Sequence, residues 1–312
     1  MADDIKNSYS SNNILLVPDT LWEKTVKVTR AARQSGALKS IETDYDFINQ
    51  NEIIFLVRHL SNVIRKEKAK KKQREQEKKT GKYIDPFLPY EKDLFVSDVT
   101  KTHLCLLNKF NVVDHHLLLV TRHFELQENL LNIDDFIALW ACIKEIDGLA
   151  FYNGGKDAGA SQKHKHLQLV PLPFVANIER LPIAPAIAKV KFNNSIGKIP
   201  SFPFKNAIAS LDLTSFDNPL SAAKAMLDCY YTLLEKVGFT LETNTIEQPG
   251  AYNFLATRKW MLIVPRSQES CHRISVNSLG FAGSLFVKNA DTLESLKQLT
   301  PIKLLSKVAV ND

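Results

Sequence analysis

Cysteine is scarce and scattered. Cys105, Cys142, Cys229 and Cys271 form no Cys-x-x-Cys pair within 312 residues. That spacing supplies no obvious zinc-ligand pair, and a disulfide framework is not expected at this chain length; a reduced, cytoplasmic protein is. No apolar run is long enough to span a bilayer, so no membrane role is expected. The N-terminal Met-Ala-Asp-Asp-Ile-Lys lacks the apolar stretch of a signal peptide. No GxxxxGK string followed by Ser or Thr occurs, which excludes a P-loop. Broadly spread positive charge is missing too. The net charge is +6, but Arg65 to Lys82 holds ten Lys/Arg against three Glu, so that segment carries +7 and the rest −1. A single basic segment is not a nucleic-acid-binding face, and no nucleic-acid partner is expected.

What remains is composed like an ordinary globular protein, 45% hydrophobic, and large enough for one domain or two halves sharing a core. Leu21 to Ser35 has helix-compatible apolar spacing, with Gly36 as a stop. Tyr45 to about Lys79 reads as a longer helix, with Phe47, Ile48, Ile53, Ile54, Val57, Leu60 and Ile64 on one side. It runs into the lysine-rich segment, which is either a solvated helix end or loop, or an electropositive gate for a polyphosphate. Pro86-Phe-Leu-Pro89-Tyr90 reads as an extended loop whose aromatics either stack on a base or cover the core.

Thr102 to Asn108 and His115 to Thr121 are apolar runs that can pair as a wide antiparallel hairpin. Ile133 to about Leu149 has helical spacing with Asn132 as cap, and Phe151 to Asn153 a short strand. Prolines from Pro171 to Pro203 mark a long connection. A helix is expected over 219–238, with Pro219 at its start and Gly238 at its end. Ala251 to Thr257 and Trp260 to Pro265 form a second strand–turn–strand. Leu279 to Val287 is a strand candidate, and Leu293 to Leu299 a closing helix. The second hairpin loosely repeats the first, ending Val-Pro-Arg266 where the first ends Val-Thr-Arg122, as in a degenerate duplication. It brings no second His-x-His-x-Gln.

The densest chemistry lies in Ser161-Gln-Lys-His164-Lys-His166-Leu-Gln168. On a strand, His164, His166 and Gln168 share one face. Such a pair of histidines has three readings: hydrogen-bonded structural residues, two ligands of a zinc ion that still needs a third, or a nucleophile for phosphorus. His115 and His116 can reach a zinc ion only through tertiary folding. The preceding loop offers Asn153, Gly154, Gly155, Gly159 and Ser161 as amide and hydroxyl donors for phosphate oxygens, which favours the third reading. Gln168 can donate and accept but cannot exchange a proton, so it suits holding an oxygen.

The string Asn153-Gly…Gly159-x-Ser161-x-x-His164-x-His166-x-Gln168 resembles the transferase branch of the histidine-triad superfamily, which has glutamine where hydrolases have a third histidine. Asn108 to Arg122, Phe124-Glu-x-Gln127, Tyr252 to Arg258, Trp260 to Arg266 and Asn277 to Lys288 extend the resemblance. Together they are similar to the ATP adenylyltransferase, or diadenosine tetraphosphate phosphorylase, family over about Ala31 to Leu305.

The resemblance implies an α+β fold, a histidine-triad-like antiparallel sheet flanked by helices as in galactose-1-phosphate uridylyltransferase. Residues 1–178 are then the catalytic half and 179–312 a degenerate half sharing the core. It implies reversible phosphorolysis of diadenosine tetraphosphate to ATP and ADP through an adenylylated His166. His164 orients the nucleophile, Ser161 and Gln168 hold non-bridging oxygens, and Asn153, with Gly154 and Gly159, positions the α-phosphate. Asn108, Phe110 and Gln127 line the nucleoside side, Phe110 being as readily a core residue. Lys288 is a weaker candidate for distal phosphates. Expected partners are diadenosine polyphosphates, ATP, ADP and phosphate. Magnesium or another divalent cation rides on the polyphosphate, with no metal site in the protein and no structural zinc. The duplicated chain can act as a monomer. The competing functions are a dinucleoside polyphosphate hydrolase and a non-catalytic nucleotide- or metal-binding module.

Overall fold

A computed structural model of the chain describes residues 13–60, 83–175, 181–242 and 245–312. The order of elements is α1 (Leu21–Ser35), β1 (Thr43–Gln50), β2 (Ile53–Leu60), β3 (Phe95–Asp98), β4 (His103–Leu107), β5 (Leu117–Thr121), α2 (Ile133–Glu145), β6 (Gly148–Gly154) and β7 (His166–Pro171). Then follow α3 (Ala184–Ile187), β8 (Ile196–Gly197), β9 (Ala207–Ser210), α4 (Pro219–Lys236), β10 (Tyr252–Ala256) and β11 (Trp260–Pro265). The chain closes with β12 (Ser270–Cys271), β13 (Ile274–Ser275), α5 (Ser278–Phe281), β14 (Ser284–Val287), α6 (Ala290–Leu299) and α7 (Pro301–Val308). This is an α+β arrangement.

One antiparallel sheet carries nine strands in the order β3-β4-β5-β7-β6-β10-β11-β9-β8. Its central strands are apolar on both faces because both are covered. One face packs Cys105, Leu119, Tyr152, Leu167, Leu169, Phe254 and Ile263 against α1, α2 and α4. The other packs Leu149, Phe151, Val170, Leu255, Leu262 and Val264 against β2, β14, α5 and α7. A separate cluster on that second face, Phe87 with Leu104, Leu106, Leu118 and Val120, leaves room between itself and the larger core for polar groups. His166 and Gln168 lie along that boundary, beside Val120 and Leu118 in register.

Several expectations hold locally because their signals are local. Gly36 takes a left-handed φ of 76° and ends α1. Asn132 accepts from the Asp134 and Asp135 amides and forms a capping box with Asp135. Asn218 and Pro219 start α4. Both expected hairpins form, β4–β5 and β10–β11.

The helix expected from Tyr45 is instead a β-hairpin, β1–β2, joined by Asn51 and Glu52 at φ 48° and 68°. A two-residue turn with both φ values positive matches strand twist. Ile53, Phe55 and Val57 alternate inward, and β14 completes a small sheet by pairing parallel to β2. Isoleucine and valine spaced for a helix fit a strand equally well, and sheet pairing decided it. The lysine-rich segment lies outside the described residues, so neither reading of it is addressed. The strand expected over 279–287 is split. Asn277 caps the one-turn α5, Gly283 turns the chain at φ +88°, and only Ser284–Val287 is extended. Helix α2 stops at Glu145, so Leu149 and Ala150 belong to a longer β6. The final helix begins at Ala290, and α7 follows it unforeseen, burying Ile302, Leu304, Leu305 and Val308.

The repeat is also placed differently. Strands β6 and β10 are sheet neighbours, antiparallel, with Asn153 opposite Asn253. Outside them lie β7 and β11, and helices α2 and α4, which precede β6 and β10, pack together. A local two-fold therefore relates β10–β11 to β6–β7, not to β4–β5.

Candidate active site

Beyond β6 the chain turns through Gly155 at φ +86° and Gly159 at φ +89°. A Cβ at Gly159 would stand 2.8 Å from the Val276 carbonyl, so this turn requires glycine sterically as well as conformationally. The Ala158, Gly159 and Ala160 amides bond carbonyls within the turn. Gly154 packs against Gln248 and Tyr252. Ser161 is exposed where the turn leads into the histidine run.

His166 is buried at the start of β7. Its Nδ1 lies 2.8 Å from the His164 carbonyl. A carbonyl only accepts, so Nδ1 carries the proton and Nε2 keeps its lone pair. Among the described residues, Nε2 has no hydrogen-bond partner. Burial pulls the ring's pKa down to about 4, against the opposing effect of the bond to the His164 carbonyl. His166 is thus a neutral imidazole at physiological pH, with its nucleophilic nitrogen fixed by tautomer.

His164 precedes the regular strand and makes an isolated bridge to Leu126. Its Nδ1 meets the Asp85 carboxylate at 2.8 Å, and its Nε2 meets the Thr121 carbonyl at 2.8 Å and hydroxyl at 2.9 Å. The Phe87 ring, two residues after Asp85, packs 5.6 Å from His164 and 5.3 Å from His166. Gln127 is fully buried between β6 and β7. Its amide nitrogen donates to the carbonyls of Asn153 and His166, and its oxygen accepts from the His166 amide. It therefore splints the two strands where they part. On the opposite face Lys165, without exposure, pairs with Asp135 at 2.6 Å, and Asp135 also meets His103 at 3.0 Å.

A hydrogen-bond chain orients Gln168. The Phe110 amide donates to Asn108 Oδ1 at 3.2 Å. Asn108 Nδ2 therefore donates to His116 Nδ1, at 3.3 Å. His116 Nε2 then donates to Gln168 Oε1 at 3.0 Å, leaving Gln168 Nε2 turned away as a donor. Asn108 thus stands behind Gln168, and half-buried Phe110 contributes its backbone. Asn153 lies beside His166 on the same face, since continuing the β6–β7 register two residues past Phe151 and Gln168 sets them opposite. Lys288 follows β14, a strand of the small sheet.

Sequence reasoning missed Asp85 and His116 as site residues. The Asp-Pro-Phe string and the histidine doublet were visible, but nothing in them named a partner. The doublet diverges: His115 Nδ1 meets Thr29 of α1, and His116 meets Gln168. Among the described residues, no group of three or more His, Cys, Asp or Glu side chains is placed to hold a metal ion.

A family model described as Ap4A phosphorylase N-terminal domain matches residues 11–189, and one described as ATP adenylyltransferase C-terminal domain matches 200–311. Diadenosine 5',5'''-P1,P4-tetraphosphate phosphorylase 2 of Saccharomyces cerevisiae is 29% identical over 248 residues, covering 70% of this chain and 73% of its own. Protein APA1 of the same yeast is 26% identical over 299 residues, 86% of this chain and 87% of its own. The crystal structure of yeast Ap4A phosphorylase Apa2 shares the fold at a TM-score of 0.76 and 24% identity, covering 95% of this chain and 96% of that one. The Apa2 structure in complex with Ap4A superposes at 0.73 with 22% identity, covering 95% of this chain and 99% of that one. With both of its halves matched by family models, the chain belongs to the Ap4A phosphorylase and ATP adenylyltransferase family.

Proposed function

We propose that the chain catalyses the reversible phosphorolysis of diadenosine tetraphosphate through an adenylyl group carried on His166. The observation that carries this reading is the fixed tautomer of His166, with Nδ1–H on a carbonyl and Nε2 unpartnered among the described residues. Nε2 attacks the α-phosphorus, the bond to the bridging oxygen of the β-phosphate breaks, and ATP leaves as an anion that needs no proton. The imidazole gains positive charge as the N–P bond forms, and its Nδ1–H bond to the His164 carbonyl strengthens with it. Phosphate then attacks the same phosphorus, the N–P bond breaks, and ADP leaves. In reverse, ATP and ADP form the dinucleotide.

Both steps are in-line displacements that need positioning and charge stabilisation. In this reading Gln168 Nε2 and the Ser161 hydroxyl hold non-bridging oxygens, and His164, fixed by Asp85, sets the carbonyl that orients His166. Phosphate is already an anionic nucleophile near neutral pH, whereas water needs a base. Gln168 cannot be one, which favours phosphorolysis over hydrolysis. Magnesium or another divalent cation enters with the polyphosphate as part of the substrate. In this proposal residues 1–178 hold the reacting groups and residues 179–312 support them.

Incubation with α-labelled ADP, which loads His166 in the reverse direction with release of phosphate, tests the reading. An acid-labile, base-stable label that disappears in His166→Ala is expected, and diadenosine tetraphosphate with phosphate is expected to yield ATP and ADP. Full labelling and turnover in that variant would overturn the nucleophile. Release of AMP, or of two ADP, would make the enzyme a hydrolase.

A further inference from the structure

Strand β10, beside β6, and the segment after β13 bring three polar side chains against Asn153. Asn153 Oδ1 accepts from the Ser278 amide at 3.0 Å, the Ser278 hydroxyl at 2.8 Å and Asn253 Nδ2 at 2.9 Å. A backbone N–H can only donate, so the atom facing Ser278 is the oxygen. Asn253 is oriented in turn. Its Nδ2 donates to the Ala158 carbonyl at 2.9 Å, and its Oδ1 accepts from the Arg266 guanidinium at 2.6 Å. Guanidinium only donates, and a carbonyl only accepts. Arg266 is itself buried, with its other N–H groups on the carbonyls of Val276, Val308 and Gln268. The Ser278 hydroxyl also lies 3.1 Å from the Tyr152 carbonyl, so the orientation of Asn153 rests on the Ser278 amide and that of Asn253 on Arg266. The series ends with Asn153 Nδ2, which has no partner among the described residues and lies on the face of His166.

We propose that Arg266, Asn253 and Ser278 are positioning residues that lock the amide of Asn153, so that its two N–H groups meet the α-phosphate oxygens during transfer to His166. The proposal rests on the adenylyl-transfer reading. It gives the half that lacks a nucleophile a defined part in the reaction: it sets the polarity of one donor. The same Asn253 and Arg266 hold the Ala158 carbonyl, so the glycine turn and the donor are fixed together.

Three near-isosteric variants test this by the rate of label transfer from α-labelled ADP, by phosphorolysis kcat and KM, and by thermal unfolding. Asn153→Asp retains an oxygen for all three donors and replaces Nδ2 with a second oxygen against the phosphate. It should unfold at or above the wild-type temperature, yet adenylylate about 10²–10³-fold slower, as for the loss of a transition-state donor. Asn253→Asp keeps the pairing with Arg266 but removes the donor to Asn153. Ser278→Ala removes one of three donors. Each should lower kcat with little change in KM, by roughly tenfold and severalfold respectively. Wild-type labelling with wild-type rates in Asn153→Asp or Asn253→Asp overturns the positioning proposal and leaves the His166 mechanism standing. Absence of any label in the wild type overturns the mechanism and the proposal with it.

Discussion

Strands β7 and β11 flank the same central pair, yet they carry opposite chemistry. Across from Asn253 in register stands Val264, and across from Leu255 stands Leu262. The corresponding places on the other side of the two-fold hold His166 and His164. Where β7 continues to Gln168, the β11 segment continues to Arg266, whose amide bonds the Ala251 carbonyl. From His164 into β7 the buried polar side chains are partnered, His164 on Asp85, Lys165 on Asp135 and Gln168 on His116, with the Nε2 of His166 the atom left open among the described residues. On β11 the strand is apolar throughout and adds core. One strand holds reactivity at the cost of a network that must be satisfied in full; its mate adds burial and, through Arg266, alignment. Stability and reactivity thus lie on separate strands.

The comparison can be broken most directly by exchanging effects between the strands. His166→Ala should reduce phosphorolysis by at least about 10³-fold, as loss of a covalent nucleophile does, while leaving the fold intact by circular dichroism. Next in size is the underside of β7. Lys165→Met leaves Asp135 buried without its cation and should cost about 3–5 kcal/mol in urea unfolding, much of which Lys165→Met combined with Asp135→Asn should restore.

A pH series sharpens the contrast further. The folded pKa of His166, about 4, lies below its ordinary 6.5. Protonation therefore favours the unfolded chain. This contribution is fully present above pH 6.5 and lost as pH falls toward 4, by about 3 kcal/mol at most. His166→Ala should flatten that part of the stability profile, whereas Val264→Ala should leave it unchanged. Adenylylation should show no loss from His166 protonation until pH approaches 4. The smallest effect belongs to β11: Val264→Ala should cost about 2 kcal/mol through lost burial, with kcat within twofold of wild type. A large loss of kcat there would show that the two strands are not separable.

The expectation of a helix from Tyr45 failed for a reason that separates it from the helices foreseen. Asn132, Asn218 and Gly36 act on backbone groups within a few residues, so their effect is written locally. Ile53 and Val57 are buried by β14, more than two hundred residues onward, and no local period reports that. The repeat was misplaced in the same way, because apolar strands ending in Val-x-Arg look alike until the sheet order ranks them. His164, His166 and Gln168 were legible as chemistry, since their residue types are rare in an apolar run. Gln127, Asn108 and Phe110 were legible as parts of a family pattern, but not as splint, relay and backbone donor.

By itself, then, the sequence determined most of the strands and helices, the candidate nucleophile and the family, because caps, periods and motif spacings act between near neighbours. The tertiary structure alone decided which nitrogen of His166 is free, which way Gln168 and Asn153 turn, and which hairpin mirrors the reactive one. Those choices depend on donors and acceptors that meet only after folding. Asn153 takes its orientation from groups 100 and 125 residues away, and a hydrogen bond has direction only when both ends are in place.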